Sequence, residues 1–194
     1  MKTGVVVMAY GSPHSTADIE AYYTHIRHGR PPTAGQLADL RRRYDAIGGV
    51  SPLAQRTEAQ RRRLALALAG LGDYVVVAGH KHAAPFIEDA VARLAAAHVK
   101  VVVGLVLAPH YSRGSVGEYV ERLQGAAFDH RLGTAAIESW HDEPVWRAFQ
   151  GTAVRDGLAA LPPPVKVLFT AHSLPERVLA GDPYPDQLAD SARA

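Results

Sequence analysis

Ionisable side chains directly follow several apolar runs of this sequence. The set comprises Tyr10, His80, His82, His110 and His172. An imidazole can accept a proton or bind a metal ion near neutral pH. In open parallel α/β sheets, ligands bind beyond the carboxyl ends of the strands. The pattern therefore predicts a crevice with Tyr and His at its rim, although any single His could equally be a hydrogen-bonded structural residue.

The sequence also contains three positively charged groups of arginines, at 27–30 (RHGR), 41–43 (RRR) and 61–63 (RRR). Clustered guanidinium groups suit bidentate binding of carboxylate or phosphate. We interpret 61–63 as a solvated helix face, whereas 27–30 and 41–43 border turns and are better candidates for anion binding. Together with the Tyr and His rim, these groups suit a planar or anionic ligand, with or without a metal.

Several classes of site are excluded or disfavoured. The absence of cysteine excludes disulfides and thiolate metal sites. No HExxH, HxxxH, P-loop, GxSxG or GxGxxG motif occurs, so a metal cage built by protein side chains alone is not indicated. The two histidines of GHKH (79–82) diverge, and we interpret this segment as a solvent-facing loop. With 21 basic and 19 acidic residues and no recognition motif, the chain is not expected to bind nucleic acid.

The elements that must position these side chains alternate along the chain. Continuously apolar runs predict strands at 4–10, 74–79, 101–108, 134–139 and 165–171. Helical periodicity predicts helices within 57–72, 84–98, 115–128 and 143–161. Thr57 is the expected N-cap of the first of these, and Ser115 with Glu118 forms a candidate capping box for the third. Apolar strands separated by helices indicate an α/β fold, a doubly wound parallel sheet with flanking helices.

The chain divides into two parts at the proline-rich segment LPPPV. We expect a complete N-terminal α/β domain at 1–161, and at 165–194 the first strand and loop of a truncated second α/β domain. No run of 18 apolar residues is present, and the N-terminal apolar run is too short for a signal peptide. We therefore expect a cytoplasmic protein without a transmembrane segment.

Seven segments of the sequence resemble the ferrochelatases, in family order and across essentially the whole chain. They are MAYGSP (8–13), YYTHIRHGRPP (22–32), RYDAIGGVSPLAQRT (43–57), KHAAPFIEDAV (81–91), LVLAPHYSRGSVGEY (105–119), ESWHDEP (138–144) and TAHSLPERV with GDPYPDQL (170–188). The sequence is most similar to the coproporphyrin ferrochelatases of Gram-positive-type bacteria, which carry a tyrosine in the first loop, as Tyr10 does here.

This resemblance implies a lyase of haem biosynthesis that inserts Fe(II) into a porphyrin, without a separate organic cofactor. Fe(II) and a porphyrin are then its substrates, with coproporphyrin III as the first expectation and protoporphyrin IX as the alternative, and the chain is expected to be monomeric. By analogy, His172 is the active-site histidine that binds the incoming metal or accepts pyrrole protons. Tyr10 approaches the opposite face as axial ligand of the product iron. The other porphyrin-binding positions are Arg27, Arg43, Tyr44, Ser51 and Tyr119.

The sequence also departs from the family pattern. Intact members are considerably longer and consist of two similar α/β halves, and the family's metal-site glutamate has no counterpart here. We therefore expect impaired activity for this chain. Two alternatives stay open: a porphyrin- or haem-binding module without catalysis, and a short chelatase completed by dimerisation. Some relatives carry an iron–sulfur cluster on C-terminal cysteines, a question that this sequence does not address.

Overall fold

The computed structural model describes residues 1–194 and contains two compact units. One comprises Met1–Leu107 with Tyr119–Ala136, and the other comprises Ala108–Glu118 with Ile137–Ala194. The expected domains at 1–161 and 165–194 stay a prediction.

A four-stranded sheet organises the first unit. Its strands are β1 (Thr3–Ala9), β2 (Tyr74–His80), β3 (Val101–Val106) and β4 (Gly133–Ile137). They lie in the order β2-β1-β3-β4, and β1 pairs in parallel with both β2 and β3. Within the central strand β1, residues 4–9 are all buried. This burial explains the continuous apolar run and confirms the predicted α/β fold with a parallel sheet.

Eight α-helices accompany the sheet. They are α1 (Ile19–Ile26), α2 (Ala34–Asp45), α3 (Leu53–Leu68), α4 (Ile87–Ala96), α5 (Glu118–Asp129), α6 (Pro144–Ala159), α7 (Glu176–Leu179) and α8 (Tyr184–Arg193). A short 3₁₀ turn precedes α1, and a π-helical turn at Arg113–Gly117 precedes α5. None of the helices combines the length and the apolar character that crossing a membrane requires.

Helices pack on both faces of the sheet, because successive strand residues point to opposite sides. On one face, Leu64, Ala65 and Leu68 of α3 pack against Val5, Val7 and Val76. On the other face, α4 approaches β2 so closely that a Cβ on Gly79 would lie 3.0 Å from the Ile87 Cα. The helix face predicted for α4 is confirmed, since Ile87, Ala90, Val91 and Leu94 are buried.

Two predicted helix starts are wrong. Helix α3 begins at Leu53, so Thr57 is an interior residue, only 1% exposed, and not an N-cap. Ser115 lies inside the π-helical turn, and no capping box with Glu118 forms. In both cases a good capping residue stands inside a longer helical run, and tertiary packing rather than local capping decides where the helix begins.

The strand predicted at 165–171 is absent. Residues 165–175 form neither helix nor strand, and the side chain of Leu168 is 84% exposed. A strand needs the backbone hydrogen bonds of a neighbouring strand, and the sheet contains only β1 to β4. An apolar run alone is therefore not sufficient for a strand. That a second domain begins here stays a prediction.

Candidate active site

The candidate site lies where β1 and β2 end at the same edge of the sheet. Beyond the two strands, the Lys81 N–H donates to the Ala9 carbonyl at 2.9 Å, and the His82 N–H donates to the Tyr10 carbonyl at 3.0 Å. These bonds continue the pairing beyond the strands, to Tyr10 after β1 and to Lys81 and His82 after β2. They bring the Tyr10 and His82 rings to a centroid distance of 4.5 Å, with a tilt of 56° between the rings. Tyr10 remains 42% exposed, so one side of its ring is accessible to a ligand.

The segment GHKH is not a solvent-facing loop, and this prediction is wrong. His80, Lys81 and His82 are each only 6% exposed. Helix α5 covers the segment, because the Arg122 guanidinium donates to the Lys81 carbonyl. The Lys81 ammonium in turn lies 5.3 Å from the centroid of the Tyr119 ring. A buried cation and an aromatic wall therefore adjoin the Tyr10 loop, which the sequence pattern of GHKH did not indicate.

Four tyrosines from separate parts of the first unit lie near one another: Tyr10, Tyr22, Tyr44 and Tyr119. Tyr22 donates to the Gly11 carbonyl at 3.3 Å, next to Tyr10. Burial raises the pKa of Tyr22, and the neighbouring phenols of Tyr44, Tyr10 and Tyr119 raise it further. Burial also raises the pKa of Tyr44, which shares a hydrogen bond with Tyr22. Tyr22 and Tyr44 therefore stay neutral at physiological pH and provide hydroxyl groups. Tyr22 was missed by the sequence reasoning, although it stands in the segment YYTHIR.

The predicted porphyrin-binding residues Arg27, Arg43 and Ser51 also lie in the first unit, directly after α1, on α2 and just before α3. The Arg27 guanidinium stands 5.7 Å from the centroid of the Tyr23 ring. Arg43 pairs with Asp39 at 2.7 Å, but its side chain is 75% exposed, so further donors face solvent. The Ser51 hydroxyl accepts the Leu53 N–H at 3.2 Å.

The arginine group at 61–63 only partly matches the interpretation as a solvated face. Arg62 is 71% exposed and pairs with Glu58 at 2.8 Å. Arg61 is 23% exposed and also binds Glu58, and it donates to the Val76 carbonyl at 3.0 Å. Arg61 therefore anchors α3 on the outer edge of β2 and is a structural residue.

Two of the candidate histidines are structural as well. Burial lowers the pKa of His80, partly offset by nearby backbone carbonyls, so this ring is held neutral. His110 belongs to the second unit and shares a 2.8 Å hydrogen bond with Ser191 of α8. Its pKa is lowered by burial and by neighbouring His141. With lowered pKa values, both rings are weaker bases than an ordinary histidine.

His172 lies in the second unit, in the exposed segment 165–175. The same unit contains a hydrogen-bond network around Asp182, which is 8% exposed. The Asp182 carboxylate accepts the Arg113 N–H at 2.7 Å and the Tyr184 N–H at 2.9 Å. The network attaches the loop after β3 to the start of α8 and does not involve His172 in any hydrogen bond. Tyr10 and His172 thus belong to different units.

The chain holds no group of three or more His, Cys, Asp or Glu side chains placed to bind a metal ion.

Comparison with known proteins identifies the family. The sequence profile of the ferrochelatases matches residues 2–194. The coproporphyrin III ferrochelatase of Geobacillus kaustophilus is 48% identical, over 98% of this chain and 63% of its own length. The enzymes of the same name from Geobacillus thermodenitrificans and Bacillus subtilis are 47% and 44% identical, over 63% and 65% of their own lengths. The chain thus spans somewhat less than two thirds of these relatives, and it belongs to the ferrochelatase family.

Proposed function

We propose that this chain contributes the porphyrin-binding side of a ferrochelatase that inserts Fe(II) into coproporphyrin III. The observation that carries the proposal is the partly exposed Tyr10 ring against His82, with buried Lys81 beside it, at the carboxyl edge of β1 and β2. Membership in the family and the names of the similar relatives support the same activity.

The charges of the substrate match the site. Coproporphyrin carries four carboxylates around a flat aromatic ring. The guanidinium groups of Arg27 and Arg43 are suited to bind carboxylates, with the hydroxyls of Tyr44 and Ser51 as further donors. Tyr119 provides an aromatic wall beside Lys81. Binding energy from these remote carboxylates can then be used to distort the ring at its centre, where the metal enters.

Metal insertion replaces two pyrrole protons by one Fe(II), so two protons must leave. We assign proton acceptance, or transfer of the metal, to His172, since an imidazole can do either near neutral pH. Tyr10 is assigned to the opposite face as axial ligand of the product iron. Both roles rest on the family resemblance of the segments that carry these residues. The family's metal-site glutamate has no counterpart in this chain, and we therefore propose impaired insertion.

A second function is favoured by one observation, the absence of any three-residue metal-binding group within the chain. In this alternative the chain binds porphyrin or haem and does not insert metal. Three further expectations stay predictions: a preference for coproporphyrin III over protoporphyrin IX, a monomeric state and a cytoplasmic location. Whether an iron–sulfur cluster is present stays open. Completion by dimerisation requires a dimer, which gel filtration measures directly.

The test is an anaerobic titration of the purified chain with coproporphyrin III and then with Fe(II), followed at the Soret band. A saturable shift followed by metallation supports insertion by this chain. A shift without metallation supports the binding module, and no shift at all contradicts both functions for the isolated chain.

Tyr10→Phe tests the assigned iron ligand. We expect it to change the absorption spectrum of bound ferric coproporphyrin, because a phenolate ligand is lost. Tyr74→Phe is the matched control, since Tyr74 is 40% exposed but stands at the opposite end of β2. An unchanged spectrum for Tyr10→Phe would contradict axial ligation by this residue.

A further inference from the structure

Two histidines from distant parts of the chain contact each other next to Tyr10. The Nδ1 atoms of His25, on α1, and His82, after β2, lie 3.0 Å apart, at hydrogen-bonding distance. Their rings are nearly perpendicular, at 75°, with centroids 5.2 Å apart. The Tyr10 ring contacts His82 at 4.5 Å between centroids. The His82 ring therefore contacts a hydrogen-bond partner and an aromatic neighbour at once.

A hydrogen bond between two Nδ1 atoms restricts both rings. One Nδ1 must carry a proton and the other must offer a lone pair, so two neutral rings in this pair have opposite tautomers. The ring that donates carries a lone pair on Nε2, and the ring that accepts carries its proton there. The partner of one ring nitrogen thus affects what the other nitrogen presents. The hydrogen bond therefore couples the tautomers of the two rings and restrains the orientation of His82.

His25 is itself held from a second direction. Its ring stacks on Phe86 with centroids 5.0 Å apart and an angle of 21° between the planes. The Arg122 guanidinium lies 6.0 Å from the centroid of Phe86 and makes two hydrogen bonds to Glu88, at 2.7 and 2.6 Å. The pair is thus supported by α4 and α5. His25 is exposed whereas His82 is buried, so His25 can be replaced without opening the core.

We infer that His25 is a positioning residue, whose Nδ1 hydrogen bond to His82 fixes the orientation of the Tyr10 ring at the candidate site. The inference rests on the proposed function in one respect, namely that Tyr10 binds the iron of the product. The ring orientation sets the direction from which the Tyr10 oxygen approaches a bound tetrapyrrole.

Two substitutions separate the hydrogen bond from the stacking contact. His25→Asn places an amide close to the position of Nδ1, so it can keep the hydrogen bond to His82 while losing the stack on Phe86. His25→Phe keeps an aromatic ring on Phe86 and loses the hydrogen bond. His130→Phe is the control, since His130 is an exposed histidine just beyond the C-terminal end of α5.

The first measurement uses the ligand-free protein at one fixed pH. ¹⁵N-labelled imidazole spectra report the tautomer of His82, and the ring-proton shifts of Tyr10 report its orientation. His25→Phe is expected to shift the His82 nitrogens and the Tyr10 ring protons, whereas His25→Asn and His130→Phe leave the Tyr10 signals at their wild-type positions. Unchanged His82 and Tyr10 signals in His25→Phe would overturn the inference. Equal shifts in His25→Phe and His25→Asn would overturn it too, because the stack would then be the cause.

The second measurement uses ferric coproporphyrin III. Some absorption bands of the bound ferric porphyrin are expected to be present in wild type and absent in Tyr10→Phe. These bands are expected to be weaker in His25→Phe and as strong as in wild type in His25→Asn. Loss of one hydrogen bond predicts an affinity about 2- to 10-fold weaker for His25→Phe. A full Tyr10-dependent spectrum in His25→Phe would overturn the inference. If the wild-type protein itself shows no Tyr10-dependent spectrum while the ligand-free signals shift as expected, the proposed function fails and the positioning of Tyr10 by His25 stands.

Discussion

Gly79→Ala tests the close packing that places the loop containing His80, Lys81 and His82. Gly79 lies in β2, directly before this loop. An added Cβ would lie 3.0 Å from the Ile87 Cα, 3.0 Å from Val6 Cγ1 and 3.1 Å from Ala90 Cβ. None of these atoms is the free end of a flexible side chain, and Val6 and Ile87 are fully buried. Helix α4 must therefore move away from the sheet.

The expected cost follows from the packing. Inserting a methyl group into a closely packed core costs about 1–3 kcal/mol in the free energy of unfolding. The matched control is Gly125→Ala, since Gly125 is an exposed interior residue of α5 with no atom within 4 Å of an added Cβ. Alanine loses less backbone entropy than glycine in a helix or a strand, so both changes gain about 0.5–1 kcal/mol, and only Gly79→Ala also carries the packing cost. Gly79→Ala is therefore expected to be about 1–3 kcal/mol less stable than Gly125→Ala.

Urea denaturation of wild type and both variants measures these free energies. Coproporphyrin III titration then shows whether the displaced loop also weakens binding, as expected for Gly79→Ala and not for Gly125→Ala. A Gly79→Ala variant as stable as Gly125→Ala would refute the reasoning, because the added Cβ would then carry no packing cost against α4.

Two further predictions concern stability. Hydrogen bonds from Arg61, and secondly from Arg62, lower the pKa of Glu58 to about 2. The resulting stability is complete above the unfolded pKa of about 4.3 and is lost as the pH falls towards 2. Since 40% of the Glu58 side chain is exposed, screening reduces it to about 0.5–1 kcal/mol. Glu58→Gln should thus be less stable than wild type in urea denaturation at pH 7, with a smaller deficit at pH 2, where about half of Glu58 is protonated in the folded protein; an equal deficit at both values would contradict this. Asp182→Ala leaves the Arg113 and Tyr184 N–H groups without their acceptor. It should cost about 1–3 kcal/mol and speed amide exchange at both positions, and unchanged exchange would contradict the role of Asp182.

Much of the fold could be predicted because the relevant signals are local. The valine-rich runs of β1, β2 and β3 are continuous rather than alternating, which is typical of strands covered on both faces. The apolar face of α4 follows directly from its helical periodicity. Tyr10, His80 and His82 could be assigned to one edge of the sheet, since parallel strands end together, whereas His110 and His172 belong to the second unit.

Where a prediction failed, the deciding contact comes from another part of the chain. Residues 165–171 have strand-like composition but pair with no strand. The GHKH segment looks polar and exposed, yet α5 covers it through Arg122. A propensity describes one segment, whereas burial and strand pairing require a partner whose position no local pattern contains.

The sequence by itself therefore determined the α/β class, the alternation of β1 to β4 with α3 to α6, and the ferrochelatase segments. Only the tertiary structure decided how the site is built, because its contacts join residues far apart in sequence. His25 and His82 are separated by 57 positions, and neither lies in a pattern that indicates the other. Their hydrogen bond exists because the fold brings the last turn of α1 next to the loop after β2, beside Tyr10.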